Sequence, residues 1–114
     1  MSIRNHEISL QQAIALISRY RDNHPADFPY YETFHIEAIR QLIMPAACSF
    51  LRIYFGRKQD NEVVLILVAA DAQEQDLLPL VVGTGITNAD QNIIIEDGYR
   101  CPQYCPSTSV LAGS

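Results

Sequence analysis

An α+β fold, with two helices on one face of an antiparallel sheet of three to five strands, is predicted by three features of this 114-residue sequence. Residues 9–22 carry apolar side chains at helical spacing behind a serine, residues 51–55 and 63–70 are β-prone runs separated by a polar connector, and a Pro-rich irregular tail follows Gly98. The length supports one domain, because folded domains most often hold about 100–150 residues. A 48% hydrophobic content with ordinary Pro and Gly usage excludes collagen-like and disordered classes. The domain is expected over residues 1–100 and the tail over residues 101–114.

Ser9 and Gln12 form the pattern of a capping box, in which each side chain satisfies a backbone N–H of the other residue. The first helix should start there, with Leu10, Ala13, Ile14, Ile17 and Tyr20 facing the core. Asn23-His24-Pro25 ends it, since the residue before Pro avoids the helical region. The aromatic stretch Phe28 to Phe34 is β-prone, and Pro29 restricts it to a short or edge strand. A second helix is expected from about His35 to Met44, with Ile36, Ile39, Leu42 and Ile43 inward and Pro45 as its stop.

Leu51-Arg52-Ile53-Tyr54-Phe55 alternates as a strand with one wet face does, whereas Val63 to Ala70 is apolar throughout and belongs at the centre of a sheet. The connector from Gly56 to Glu62 has hairpin length. Asp71 to Asp76 is a second polar turn, after which Leu77 to Val82 is expected to add a third sheet strand, at an edge because of Pro79, giving an antiparallel meander. Ile93-Ile94-Ile95 reads as a short strand among loop-like neighbours.

The net charge of −5 is unevenly spread. Residues 1–58 hold seven basic and five acidic side chains, and residues 59–114 hold Arg100 against eight acidic ones, so the halves carry +2 and −7. An acidic second half argues against nucleic acid, whose phosphates require a basic patch. No apolar run approaches the roughly 18 residues of a membrane span, and the first residues lack a secretory apolar core, so a cytoplasmic protein is expected. In a reducing compartment the three Cys should by default be thiols.

Cys101-Pro102-Gln103-Tyr104-Cys105-Pro106 is the most unusual local feature. Two thiols held by stiff prolines can share a Zn ion, form a local disulfide, or pack as inert side chains. A Zn site would draw on Cys101, Cys105 and Cys48, with His6, His24 and His35 as further donors. Cys48, between the Pro45 stop and the Leu51 strand, reads most simply as a small buried residue, and no spacing demands that it pair with His35 as a nucleophile.

Asn88, Asp90 and Asn92 match the first half of a calcium loop, but Ile93 and Tyr99 stand where its Gly and bidentate Glu belong. Gly83-Thr84-Gly85 lacks the third Gly or the Lys of a phosphate loop. Glu74/Asp76 and Glu96/Asp97 lie in solvated connectors unsuited to acid/base work. Tyr20, Tyr30, Tyr31, Phe34 and Tyr54 either cover the core or present an aromatic interface, for which Tyr31, Tyr54 and Phe34 are the candidates.

Ile8-Ser9-Leu10, Tyr20-Arg21, Pro45, Cys48, Arg52-Ile53-Tyr54-Phe55-Gly56, Leu67-Val68, Asp71, Asp76 and the Cys101-Pro102/Cys105 tail together resemble a group of small uncharacterised bacterial proteins. The likeness spans nearly the whole chain and departs at Ala47, where Gly is expected, and at Gln103, where a second Pro is common. That resemblance implies a small cytosolic domain and carries no activity. The residues favour a non-enzymatic binding or assembly module without cofactor, a homodimer joined through an apolar sheet edge or the aromatic patch, or bound to another protein. The alternative is a thiol-dependent metal-binding or redox protein using the C-terminal Cys pair. A ligand pocket between helices and sheet is a third class, which depends on packing.

Overall fold

The computed structural model describes residues 5–82, 85–87 and 92–112. Its helices are α1 (Leu10–Asp22) and α2 (Ile36–Ile43), with a short 3-10 helix at Val110–Ala112. Its strands are β1 (Tyr31–Thr33), β2 (Phe50–Arg57), β3 (Val63–Ala70), β4 (Leu80–Val82), β5 (Gly85–Thr87), β6 (Ile94–Ile95) and β7 (Tyr99–Cys101). All strand pairs are antiparallel, so the α+β class holds.

The capping box forms as expected: Ser9 Oγ accepts from the Gln12 N–H at 3.0 Å and Gln12 Oε1 accepts from the Ser9 N–H at 2.8 Å. At the other end Asn23 closes α1, its backbone N–H donating to Tyr20 O and its side chain to Arg19 O. α1 packs mainly against the C-terminal 3-10 helix, buries no residue fully, and leaves Leu10 exposed at the start of its stripe. α2 is capped by His35, whose Nδ1 accepts from the Glu37 N–H at 3.1 Å. Leu42 and Ile39 face inward as expected, but Ile36 and Ile43 do not: they stay in solvent because the helix covers the sheet with only one narrow stripe.

β2 and β3 pair over their full length, from Phe50 opposite Ala70 to Arg57 opposite Val63. Asn61, in the left-handed region at φ 72°, completes the connecting turn, a conformation Asn tolerates better than most residues. β3 is central, as its unbroken apolar run predicts. The meander is corrected: the third strand of this sheet is β6, with Ile95 opposite Leu67 and Ile94 opposite Val68. After the Asp71 turn the chain makes one bridge at Asp76 and one bond from the Leu77 N–H to Ala69 O, then reaches Pro79, which has no N–H to continue a ladder. β4 instead pairs with β5, and β1 pairs with β7, Tyr31 opposite Cys101. The expected domain boundary at residue 101 thus falls inside a paired strand.

The core lies between α2 and one face of the β3 region, where Leu42, Leu67 and Ala69 are joined by Phe34, Ile39, Cys48, Leu65, Leu77, Ile93 and Ile95. Phe34 needs Gly98 beneath its ring, since a Cβ there would approach Phe34 Cζ to 2.7 Å. The burial is thin. The chain exposes 8466 Å², against roughly 6300 Å² for a folded monomer of its mass by surface scaling. Its Cα radius of gyration is 16.5 Å, where a compact domain of this length has about 13 Å.

Candidate interaction surface

The two faces of β2 reverse the expectation drawn from its alternation. Leu51, Ile53 and Phe55 stand opposite Ala69, Leu67 and Leu65 and so share the α2 side of the sheet. α2 packs across β3 and β6, so Leu67 and Ala69 are buried while Leu51, Ile53 and Phe55 remain 47%, 48% and 71% exposed. The polar face is the one bonded within the chain, with Arg52 half-buried and Tyr54 43% exposed. Arg52 Nη1 donates to Asp76 Oδ1 at 2.6 Å and to Glu74 O at 3.2 Å, and the Tyr54 hydroxyl donates to Asp76 Oδ2. These bonds fold the second polar turn over β2. The Tyr54 hydroxyl and then the Arg52 guanidinium hold the Asp76 carboxyl below its ordinary range, and the same carboxylate raises the Tyr54 hydroxyl.

β2 is also an edge strand. β3 occupies one side, and among the described residues no strand occupies the other. Edge strands are ordinarily protected by charge, Pro or a bulge. The two charged side chains of β2 are both engaged within the chain, Arg52 with Asp76 and Arg57 with Asp27.

A second polar cluster ties the small sheet to the large one. Arg100, 12% exposed, donates from Nε to Val63 O at 3.2 Å, from Nη1 to Glu62 Oε2 at 2.7 Å and from Nη2 to Asp27 O at 3.1 Å. Hydrogen bonding from Arg57 lowers the Asp27 carboxyl. Glu32, beside this cluster on β1, has both carboxylate oxygens buried without a well-formed hydrogen bond. Burial raises its carboxyl, and the nearby Leu65 N–H and Arg100 charge offset only part of that.

The C-terminal cysteines are joined as a Cys101–Cys105 disulfide, which corrects the expectation of free thiols. Cys101 is buried in β7, and sulfurs bonded to one another have no thiolate to give a Zn ion. Cys48 is the free cysteine; it packs against the core cluster, its Sγ 3.7 Å from Phe50 O. Among the described residues no three His, Cys, Asp or Glu side chains converge as a metal site would require. His24 Nε2 bonds to Phe28 O with its ring against Tyr20 and Tyr30, and His35 is the α2 cap.

The three aromatic interface candidates occupy three places. Phe34 packs on the core, Tyr31 accepts the Ser107 N–H on its hydroxyl beside the C-terminal segment, and Tyr54, still 43% exposed, bonds Asp76 on the polar face of β2. Asn92 is buried, donating to Leu78 O at 3.2 Å with its carbonyl oxygen unpartnered; Asn88, Asp90, Gly83 and Thr84 lie outside the described residues. No helix among the described residues is long and apolar enough to cross a membrane. The chain matches no family profile, no curated protein and no solved structure.

A cavity of about 320 Å³ lies between α1, β1 and the C-terminal segment, and the sequence, which left a pocket between helices and sheet open, did not place it there. Arg21, four residues after Ile17 on the α1 stripe, was the available signal: a cation on the apolar side of a helix.

Proposed function

We propose that this protein is a non-enzymatic assembly module that forms a homodimer by antiparallel pairing of two β2 strands. One observation carries the reading: β2 presents its apolar face to solvent along an unpaired edge. The pairing favours a second copy because the strand is self-complementary. A two-fold axis normal to the sheet through Ile53 sets Ile53 against Ile53, Leu51 against Phe55 and Arg52 against Tyr54. Moving the axis to Arg52 would oppose two guanidiniums, and moving it to Tyr54 would oppose Leu51 and Arg57.

Sedimentation and native mass spectrometry test this directly. The expected mass is twice the 12.8 kDa of the chain. Ile53→Lys and Phe55→Asp should each give a folded monomer, while Gln11→Lys, on exposed α1, should leave the dimer intact. A monomeric wild-type protein, or a dimer indifferent to both β2 changes, would overturn the proposal.

A further inference from the structure

We infer that the cavity between α1 and the C-terminal segment is a binding site for a small apolar monocarboxylate, with Arg21 as its anion anchor. The lining is chemically mixed. Ile17, Leu111 and Ala112 supply apolar surface, and Arg21, Tyr31 and Ser109 supply polar groups. The Arg21 guanidinium lies 4.3 Å over the Tyr30 ring, which holds the plane and leaves its N–H groups to bond at the edge. Its Nε is buried with no hydrogen-bond partner among the described residues. That nitrogen is closed to solvent and so does not itself face the cavity, whereas the Nη edge of a guanidinium matches a carboxylate with two parallel bonds.

The neighbouring hydroxyls are set to donate. Tyr31 Oη already accepts from the Ser107 N–H, and Ser109 Oγ accepts from the Leu111 N–H and the Ser107 hydroxyl, so the proton of each is left for an incoming oxygen. Among the described residues that line the cavity there is no acidic side chain and Arg21 is the one cation, which suits one negative charge better than a phosphate dianion. The volume of about 320 Å³ is at the small end for ligand sites and limits the tail to a few carbons. The segment that closes the site is fixed at its root by the Cys101–Cys105 disulfide and by the Tyr104 N–H to Arg100 O bond.

The test is an amide-resolved NMR titration of the full chain with hexanoate, with hexan-1-ol and inorganic phosphate as comparators at matched ionic strength. Hexanoate should give saturable shifts at Tyr30, Tyr31, Ser109 and Leu111, while neither comparator saturates them. Arg21→Met should weaken hexanoate at least tenfold, and Arg21→Lys, which keeps the charge but not the fork, should fall between. Leu111→Trp, which fills the cavity from a residue that is 38% exposed, should abolish the shifts and decides the matter if Arg21→Met does not fold. The proposal is overturned by absent saturation with hexanoate, by equal affinity in Arg21→Met or Leu111→Trp, or by phosphate binding the same amides as tightly.

Discussion

Arg100→Met removes a guanidinium while keeping most of the apolar stem, and its cost can be worked from what each lost bond leaves behind. Glu62 is 42% exposed, so its carboxylate can rehydrate, and that bond resembles a surface pair, with a loss below about 1 kcal/mol. Asp27 O keeps the Val63 N–H at 2.8 Å and loses its second donor. Val63 O sits at the start of the buried β3 strand and loses a charged donor, which costs roughly 1–3 kcal/mol. Together the substitution should remove about 2–4 kcal/mol, a large fraction of the roughly 5–15 kcal/mol typical of a domain. Urea unfolding followed by far-ultraviolet circular dichroism measures it, with the midpoint falling at unchanged slope. Arg100→Lys should recover less than half, because one ammonium cannot reach three acceptors set around a planar fork. A loss under about 1 kcal/mol for Met, or full recovery by Lys, would refute the argument that the fork joins the two sheets.

Two further outcomes follow from buried groups. Glu32 holds its proton more tightly in the folded chain than in the unfolded one, so its contribution to stability falls as pH rises from the ordinary glutamate value through the raised folded value. Glu32→Gln should therefore gain thermal stability relative to wild type as pH rises through that window, and a melting difference independent of pH would count against it. Asp27 and Asp76 act with the opposite sign, losing stability as pH falls through their lowered values, and cancel in this comparison because both proteins carry them. Cys101→Ser with Cys105→Ser opens a ring of sequence separation 4, for which chain entropy gives about 2 kcal/mol. Denaturant midpoints and the two-hydrogen mass difference check it, and metal retained by the reduced wild type but not by the variant would instead favour the thiol-dependent alternative.

Local chemistry was legible in the sequence wherever one segment decides the outcome. Ser9/Gln12, the Pro45 stop and the unbroken run of β3 each fix an element by themselves, and each forms as read. What depends on which element covers which was not legible. The alternation of β2 identifies a strand and two faces, but which face finds a partner within the chain is decided by Asp76, 22 residues beyond Tyr54, folding back onto it. The stripe of α1 marks a packing side without naming its partner, which proved to be the C-terminal segment rather than the sheet. That exchange turned an expected tail into the wall of a cavity, and it moved Tyr31 from an expected interface to the cavity lining.

Charge and shape bear differently on the two proposed sites. Each copy carries −5, so long-range repulsion opposes association and cannot be its cause. The cause must be local, and β2 is where the acidic character is absent: between Phe50 and Lys58 the chain has Arg52, Arg57 and Lys58 and no carboxylate. Two such strands would repel if those cations were free, but Arg52 and Arg57 are already neutralised by Asp76 and Asp27 of their own chain. The intramolecular pairs therefore do more than hold turns in place, because they remove the charge that ordinarily keeps an edge strand unpaired. The proposed Arg21 site follows the contrary logic: within a chain of net negative charge, a cation against an aromatic ring, with no acidic side chain among the described residues that line its cavity, keeps its attraction for an incoming anion.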